Sequence, residues 1–392
     1  MIALPECPAN PPIGLMIRKI FFWSHLIVGL IASVVVFVLC LSGALLAFER
    51  PSLDWAERSA LALPPPGATE RLPADRLVAA AARVESARPT SVRYANDPRM
   101  PVRIGFANNS TVSVNAYTGA VLGRGPASLR AFYAFVRRAH VALALPRGVE
   151  KSGPPIVGAC NLAFVFLLLT GPVIWWPRKW KWSALRNSIA IRFDVGGKQR
   201  DWNWHNAFGF WALIPLWLMG ASGIVLSYQW ANQGMRNFAS KHGPKPVPLV
   251  AIAPPEAIAP QPGWPEILAS VERAFPGWRS IQIPWSDAKK PTITIGVNEG
   301  YEGEPHKRNS VTVDRATAAV TQVQSWENRE AADRARAIVR LGHSGEIGGL
   351  LGQALAGAGC LAGVVLVYTG LALSWRRFFG RKASPASTAA SP

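Results

Sequence analysis

The chain has 392 residues, a formal net charge of +19 at pH 7 and a hydrophobic fraction of 49%. This length suits two or three soluble domains, or a membrane protein with additional parts outside the bilayer. The charge alone would suit nucleic-acid binding, but the chain contains no DNA- or RNA-binding motif, and we exclude that class. The 4 cysteines form no CxxC or CxxCH motif, which argues against zinc knuckles and covalently attached c-type haem.

Four apolar stretches are each long enough, at roughly 20 residues, to cross a bilayer core about 30 Å thick. In chain order we predict a cytoplasmic tail (1–19), a first span (20–48), an outer domain (49–155), a second span (156–176), a cytoplasmic loop (177–205), a third span (206–229), a second outer domain (230–346), a fourth span (347–375) and a cytoplasmic tail (376–392). The first apolar run far exceeds the roughly 7–15 residues of a signal-peptide core, which favours an uncleaved anchor.

Basic residues are concentrated in the short segments that flank the spans on one side, and they set the expected orientation. They are Arg18, Lys19, Arg178, Lys179, Lys181, Arg186, Arg192, Lys198, Arg200, Arg376, Arg377, Arg381 and Lys382. Short flanks rich in Lys and Arg stay in the cytoplasm, whereas long loops are largely exempt. We therefore expect both termini in the cytoplasm and both long loops outside it.

Each long loop reads as a helix followed by short strands. The first contains the helical pattern "PADRLVAAAARVES" and then "TSVRYA", "MPVRIGFA" and "STVSVNA". The second repeats the order with "PEILASVERAF", "RSIQIPW", "PTITIGV" and "SVTVDRATAAV". The Pro-rich tract over 244–265 reads as a linker. Two α+β outer domains are expected.

The chain also repeats itself. His25, Gly29 and the pair Ser42-Gly43 recur at the same spacing as His205, Gly209 and Ser222-Gly223. "TGPVIWW" in the second span recurs as "TGLALSW" in the fourth. The repeats cover about 18–180 and 198–377 and run in the same direction, so a pseudo-twofold axis along the membrane normal should relate them.

These features together resemble the PepSY-associated transmembrane family, which includes bacterial inner-membrane ferric-siderophore reductases. The resemblance covers nearly the whole chain. It rests on His-x-x-x-Gly with Ser-Gly in the odd spans, PepSY-like outer domains, and Thr-Gly with tryptophan in the even spans. It implies an integral membrane α-helical fold, with four transmembrane helices as two parallel repeats and two PepSY-like extracytoplasmic domains. It also implies ferric siderophores as substrates.

Four histidines occupy matched places in the repeats. His25 and His205 fall at the cytoplasmic edge of the odd spans, and His140 and His343 fall shortly before the even spans at the outer edge. A pseudo-twofold axis would make each pair face itself, which is what bis-histidine ligation of haem b requires. We predict two haem b groups, one on His25 and His205 and one on His140 and His343. A glycine four residues after each inner histidine would leave a gap for the porphyrin.

Simpler interpretations apply to the other candidates. A single histidine at a span edge is more often an interfacial residue than a ligand, and His242 and His306, in polar loops, read as surface residues. Tryptophans at the inner edge fit an aromatic belt. The Thr170-Gly171 and Thr369-Gly370 pairs fit close helix packing.

The leading hypothesis is a di-haem reductase that passes electrons across the bacterial inner membrane to a ferric siderophore or other ferric chelate. The donor would be membrane quinol or a separate cytoplasmic reductase, because no GxGxxG follows a strand. Arg137, Arg138 and Arg340, near the outer histidines, would attract an anionic chelate, although each alone suits lipid headgroups.

Two alternatives remain. One is a non-redox PepSY membrane protein that binds or inhibits a protease or other periplasmic partner. The other is a metal permease. The spans argue against a permease, because they contain no Asp or Glu apart from Glu49 at one edge.

Overall fold

The computed structural model describes residues 13–58, 70–176, 181–249, 262–285, 290–301 and 303–380. Some sequence predictions therefore lie outside the described residues: those for Cys7, Arg178, Lys179, Arg381 and Lys382, and most of the Pro-rich tract. The chain divides into two compact units. The helical unit contains residues 1–45, 137–227 and 355–392, and the sheet unit contains residues 46–136 and 228–354.

Eleven α-helices lie in the described part of the chain. They are α1 (Ile13–Leu46), α2 (Glu49–Arg58), α3 (Ala74–Ala82), α4 (Ala127–Ala142), α5 (Gly153–Trp175), α6 (Trp182–Ile189), α7 (Gly197–Ser227), α8 (Gln229–His242), α9 (Trp264–Ala274), α10 (Ala331–His343) and α11 (Gly349–Phe379). Four of them, α1, α5, α7 and α11, are long and apolar enough to cross a membrane. They coincide with the four predicted spans.

The helix that contains the third candidate span begins before the predicted span. Helix α7 begins at Gly197, so His205 lies inside the helix, whereas the sequence placed it in a loop ending at residue 205. The prediction followed hydropathy, which falls over the polar residues at 198–203. Two of these, Asp201 and Asn203, are buried and have polar partners in the structure. The helix continues through them because their polar groups are satisfied.

The helices of the helical unit pack closely through small residues and through the side-chain amide of Asn161. A Cβ on Gly363 of α11 would come within 2.5 Å of the Cys40 sulfur on α1. Asn161 of α5 donates a hydrogen bond of 3.0 Å from Nδ2 to the carbonyl of Gly220 on α7. Membrane helices approach closely through small residues and cross-helix hydrogen bonds of this kind.

The sheet unit contains an eight-stranded antiparallel sheet. Its strands are β1 (Pro89–Ala95), β2 (Val102–Phe106), β3 (Thr111–Val114), β4 (Val121–Gly123), β5 (Ser280–Pro284), β6 (Thr292–Asn298), β7 (Arg308–Asp314) and β8 (Val320–Gln324). The strand order is β4-β3-β2-β1-β5-β6-β7-β8. Strands β1 and β5 pair around Arg93 and Gln282, which lie opposite each other.

One face of the sheet is apolar and covered by helices α3 and α9. Val92 and Ile104 from the first half and Ile281 and Ile295 from the second are fully buried in the same cluster, together with Leu77 of α3. The strand residues alternate with polar ones on the opposite face, as expected for a half-buried sheet. A single core thus holds strands from both long loops.

The sequence analysis expected an outer domain from each long loop. In the structure, the strands of both loops join in one sheet through the β1–β5 pair. Two separate four-stranded sheets would expose the edges of both β1 and β5, and pairing these two strands removes both exposed edges. The alternation of polar and apolar residues identifies each strand, but it does not show which strands lie side by side. The pairing of β1 with β5 therefore could not be predicted.

Candidate functional site

His25 on α1 is held by a threonine from α5. Its Nδ1 lies 2.8 Å from the hydroxyl oxygen of Thr170. The next residue, Gly171, lies beside the same ring, because a Cβ there would be 3.8 Å from the His25 Cε1 atom. The Thr-Gly pair therefore contacts the imidazole directly, in addition to allowing the close packing that the sequence suggested.

His205 on α7 has the same arrangement with α11. Its Nδ1 lies 3.0 Å from the hydroxyl oxygen of Thr369, and a Cβ on Gly370 would be 3.5 Å from its Cε1. Thr369 is fully buried and Thr170 is 2% exposed, so neither hydroxyl can turn to water instead. The two odd helices thus present their histidines to the two even helices in the same way.

The threonine hydroxyls fix which imidazole nitrogen carries the proton. Thr170 donates its hydroxyl proton to the carbonyl of Phe166 at 2.9 Å, and Thr369 donates to the carbonyl of Val365 at 2.7 Å. Each hydroxyl has one proton to donate, so it must accept from the neighbouring Nδ1–H. The lone pair of each imidazole is then on Nε2, which is the nitrogen left to bind a metal.

The two imidazoles are neighbours within the helical unit. His25 and His205 lie near enough for their charges to interact electrostatically. Both rings are partly buried, and each is fixed through Nδ1 by a threonine of an even helix.

Gly29 and Gly209, which the sequence analysis expected to leave gaps beside the inner histidines, contact leucines of the even helices. A Cβ on Gly29 would meet Leu167 at 3.8 Å, and one on Gly209 would meet Leu366 at 3.6 Å. These are ordinary van der Waals contacts with the even helices. Gly171 and Gly370 are the glycines that contact the imidazoles.

His140 on α4 is anchored to α1 by a serine. Its Nδ1 lies 2.9 Å from the hydroxyl oxygen of Ser42, which itself donates to the carbonyl of Val38 at 2.5 Å. By the same proton count, Nδ1 of His140 is the donor and Nε2 carries the lone pair. Gly43 lies beside this ring, since a Cβ there would be 3.5 Å from the His140 Cε1.

The remaining histidines lie in the sheet unit. His343 is the last residue of α10 and is partly buried. His242 ends α8 and His306 lies in a short turn, and both are exposed. The structure describes His140 and His343 in different units, so their pairing stays a prediction from the sequence.

The arginines predicted to attract an anionic chelate are all exposed. Arg137 and Arg138 lie on α4 in the helical unit, and Arg340 lies on α10 in the sheet unit. The proposal that they act together stays a prediction as well.

An ion-pair group that the sequence analysis missed lies just before His205. Asp201 is fully buried and pairs with Arg200 and with Arg376 of α11, each at 2.9 Å. An acid in a basic segment beside a span is the signal that could have identified Asp201, although Asp194 lies in the same segment. Asp201 ties the first turns of α7 to α11, the helix that carries Thr369.

No group of three or more His, Cys, Asp or Glu side chains that could hold a bare metal ion lies in the described ranges. A haem needs only two protein ligands, because the porphyrin supplies the other four.

The family model described as the PepSY-associated TM region matches residues 22–377 of the chain. This match takes in all four candidate spans and the whole sheet unit between them. No curated protein matches the chain.

Proposed function

Because the chain belongs to the PepSY-associated transmembrane family, we propose that it is a membrane reductase that carries electrons across the bilayer through two haem b groups. Its substrates would be ferric siderophores or other ferric chelates outside the cytoplasm. We place it in the bacterial inner membrane with both termini in the cytoplasm, on the basis of the basic flanks of the spans. We also propose that the two halves are parallel repeats related by a pseudo-twofold axis.

The twin His–Thr arrangement supports this proposal most strongly. His25 with Thr170 and His205 with Thr369 leave two Nε2 atoms available within one site. A histidine that ligates iron needs an acceptor for its other ring N–H, and each threonine hydroxyl is such an acceptor. The residues present therefore fit a bis-histidine haem.

Bound haem would supply reversible one-electron chemistry at its iron. The chain's own residues would do the rest. His25 and His205 would hold the inner haem, and Thr170 and Thr369 would fix the orientation and tautomer of the rings. His140, fixed by Ser42, would hold the outer haem with His343, the partner that the sequence repeat predicts.

Reduction would release the iron from its chelate because Fe(II) binds hard oxygen ligands much less tightly than Fe(III) does. The electron donor would be membrane quinol or a separate cytoplasmic reductase. The spans would insulate the electron path from water over the bilayer core, about 30 Å thick.

The threonine hydroxyls give a test of the ligand arrangement. Thr369→Val keeps the side-chain shape but removes the acceptor for His205 Nδ1–H. Loss of such a supporting hydrogen bond typically weakens metal affinity about 10- to 100-fold. We expect haem to be lost to a competing acceptor protein correspondingly faster, with retention restored in Thr369→Ser.

Ser374→Ala is the matched control for this test. Ser374 is also buried on α11, but its hydroxyl bonds only to the carbonyl of Gly370 in its own helix. Haem retention should stay at the wild-type level in this variant. Equal haem loss from Thr369→Val and Ser374→Ala would contradict the assigned role of Thr369.

The proposed function itself is tested in sealed vesicles. The purified protein is inserted into liposomes with dithionite trapped inside, and ferric citrate with a ferrous-specific dye is added outside. We expect the ferrous–dye complex to form much faster than in protein-free vesicles. In His205→Ala its rate of formation should fall to that of the protein-free vesicles. A colourless protein that forms no ferrous–dye complex would instead favour the non-redox PepSY membrane protein.

A further inference from the structure

An apolar groove runs along one face of helix α11, within the helical unit. It has a volume of about 380 Å³. Because α11 is long and apolar enough to cross a membrane and its Trp375 is 66% exposed, the groove opens toward the lipid. A ligand dissolved in the bilayer could enter it directly. Most of its walls are apolar or aromatic side chains, namely Leu30 of α1 and Leu371, Ala372, Trp375, Phe378 and Phe379 of α11.

Tyr368 is the polar side chain of the groove that can bind a ligand. Ser374 also lines the groove, but its hydroxyl donates to the carbonyl of Gly370 in its own helix. The hydroxyl oxygen of Tyr368 accepts a hydrogen bond of 3.4 Å from Nη2 of Arg200, and no described residue accepts its proton. A hydroxyl can accept and donate at the same time, so Tyr368 can still donate to a ligand.

A buried ion pair fixes this polar end of the groove. Asp201 is fully buried and accepts hydrogen bonds from Nε of Arg200 at 3.1 Å and from Nη2 at 2.9 Å. Arg376 of α11 pairs with the other oxygen of Asp201 at 2.9 Å. The guanidinium of Arg200 is therefore held between the carboxylate and the Tyr368 hydroxyl.

The polar end of the groove is close to the proposed inner haem ligand. Tyr368 directly precedes Thr369, whose hydroxyl oxygen lies 3.0 Å from Nδ1 of His205. Arg200 lies on α7, five residues before the same histidine. A redox-active ligand held by Tyr368 would thus have a short path for electrons to a metal on His205.

The first half of the chain presents its histidine without such a polar group. His25 and Thr170 form the same pair as His205 and Thr369. Arg18, which precedes His25, donates to main-chain carbonyls at the end of α5. The His–Thr arrangement therefore does not require the polar group. Counted from the matched histidines and Thr-Gly pairs, Ile20, Phe21 and Leu169 stand where the second half has Arg200, Asp201 and Tyr368.

We infer that this groove binds a membrane quinol, with a ring oxygen accepting a hydrogen bond from Tyr368. The ring would lie against Trp375 and Phe379, whose own rings are 4.5 Å apart. Apolar and aromatic walls with a few placed polar groups are typical of small-molecule sites of this size. The inference rests on the proposed function and selects quinol, not a cytoplasmic reductase, as the electron donor.

The chemistry of the site is the oxidation of quinol to quinone. Each quinol gives up two electrons and two protons. The electrons would pass one at a time to the inner haem, and the protons would go to water at the cytoplasmic end of α11, where Arg376 and Arg377 mark the edge of the span. The quinone would leave through the opening to the lipid.

A binding test needs no haem and no electron transfer. Photoreactive azido-ubiquinone is added to the full-length protein in lipid nanodiscs, and the labelled peptides are identified by mass spectrometry. We expect label on the segment 368–379 and its suppression by excess decylubiquinol, but not by equal decanol. Label that decanol removes equally well would overturn the inference, because the groove would then take up any apolar chain.

An electron-transfer test uses two variants of the groove. Ala372→Trp fills the groove, so reduction of the bound haem by decylubiquinol should fall to the rate without quinol. Tyr368→Phe removes one hydrogen bond and should slow this reduction roughly three- to tenfold. Reduction by dithionite, which does not need the groove, should be unchanged in both variants and shows that haem and fold are intact.

Each variant has a matched control. Leu361→Trp adds the same side chain at a lipid-exposed position of α11 outside the groove. Tyr228→Phe removes a hydroxyl at the start of α8, in the sheet unit. Both controls should be reduced by decylubiquinol at the wild-type rate.

Equal rates of quinol-driven reduction in Ala372→Trp and Leu361→Trp would overturn the inference. Haem that dithionite reduces but decylubiquinol does not would also overturn it, and the donor would then be a cytoplasmic reductase. Failure of the reductase proposal looks different: the protein would lack haem, while azido-ubiquinone would still label 368–379 and decylubiquinol would still suppress the label.

Discussion

His25→Ala and His205→Ala should each remove the same haem from the purified protein. Both imidazoles are fixed through Nδ1 by a buried threonine, and their Nε2 atoms are the available ligands in one site. Loss of either ligand leaves a single axial bond and an unfilled gap in the helix bundle. We expect one of two redox transitions to disappear in each single variant, with total haem falling by half.

The double variant distinguishes this arrangement from ligation within one half of the chain. His25→Ala with His205→Ala should lose no more haem than either single change, because both act on one group. His242→Ala is the control, since His242 is exposed at the end of α8 and should leave both haems in place. If His25→Ala and His140→Ala removed one haem together, the pairing would be wrong.

Reduction of ferric chelates should stop in His140→Ala, although one haem remains bound and can still be reduced. His140 is held by Ser42 through its Nδ1, and we propose that it ligates the haem nearer the outer side. Without that haem, electrons would stop at the inner group. The sequence repeat assigns His343 as the second ligand, so His343→Ala should give the same spectrum and the same loss of activity.

Spectra and turnover measured together on these variants check the assignment. The remaining haem should reduce with dithionite to the same extent in both, while the chelate reduction rate falls to that of protein-free vesicles. His306→Ala, which changes an exposed histidine of the sheet unit, should retain full activity. Normal turnover in His140→Ala would exclude it as a ligand on the electron path.

Much of the helical unit could be predicted because its signals are local. Apolar runs of sufficient length gave all four candidate spans. The matched spacing of His25 and His205 singled out two histidines that have the same threonine arrangement in the structure, while their pairing on one haem stays a prediction. The strands of the sheet unit were also visible, since alternation along a strand depends on its own residues. The short helices α2, α4, α8 and α10 were not predicted, because their polar faces interrupt the apolar pattern.

What could not be predicted depends on contacts between distant segments. Thr170 and Thr369 read as packing residues, and only the fold shows that their hydroxyls accept from the histidine rings. One partner of Asp201, Arg376, lies on helix α11, so the sequence near Asp201 could not show the ion pair that accompanies its burial.

Haem content per chain tests the central claim most directly. Protein purified from cells supplied with haem is extracted with acidic organic solvent, and haem is measured against protein by amino-acid analysis. The account predicts two haem b groups per chain, both extractable because no CxxCH motif tethers them. A haem-saturated preparation with one group per chain, or with none, would contradict it.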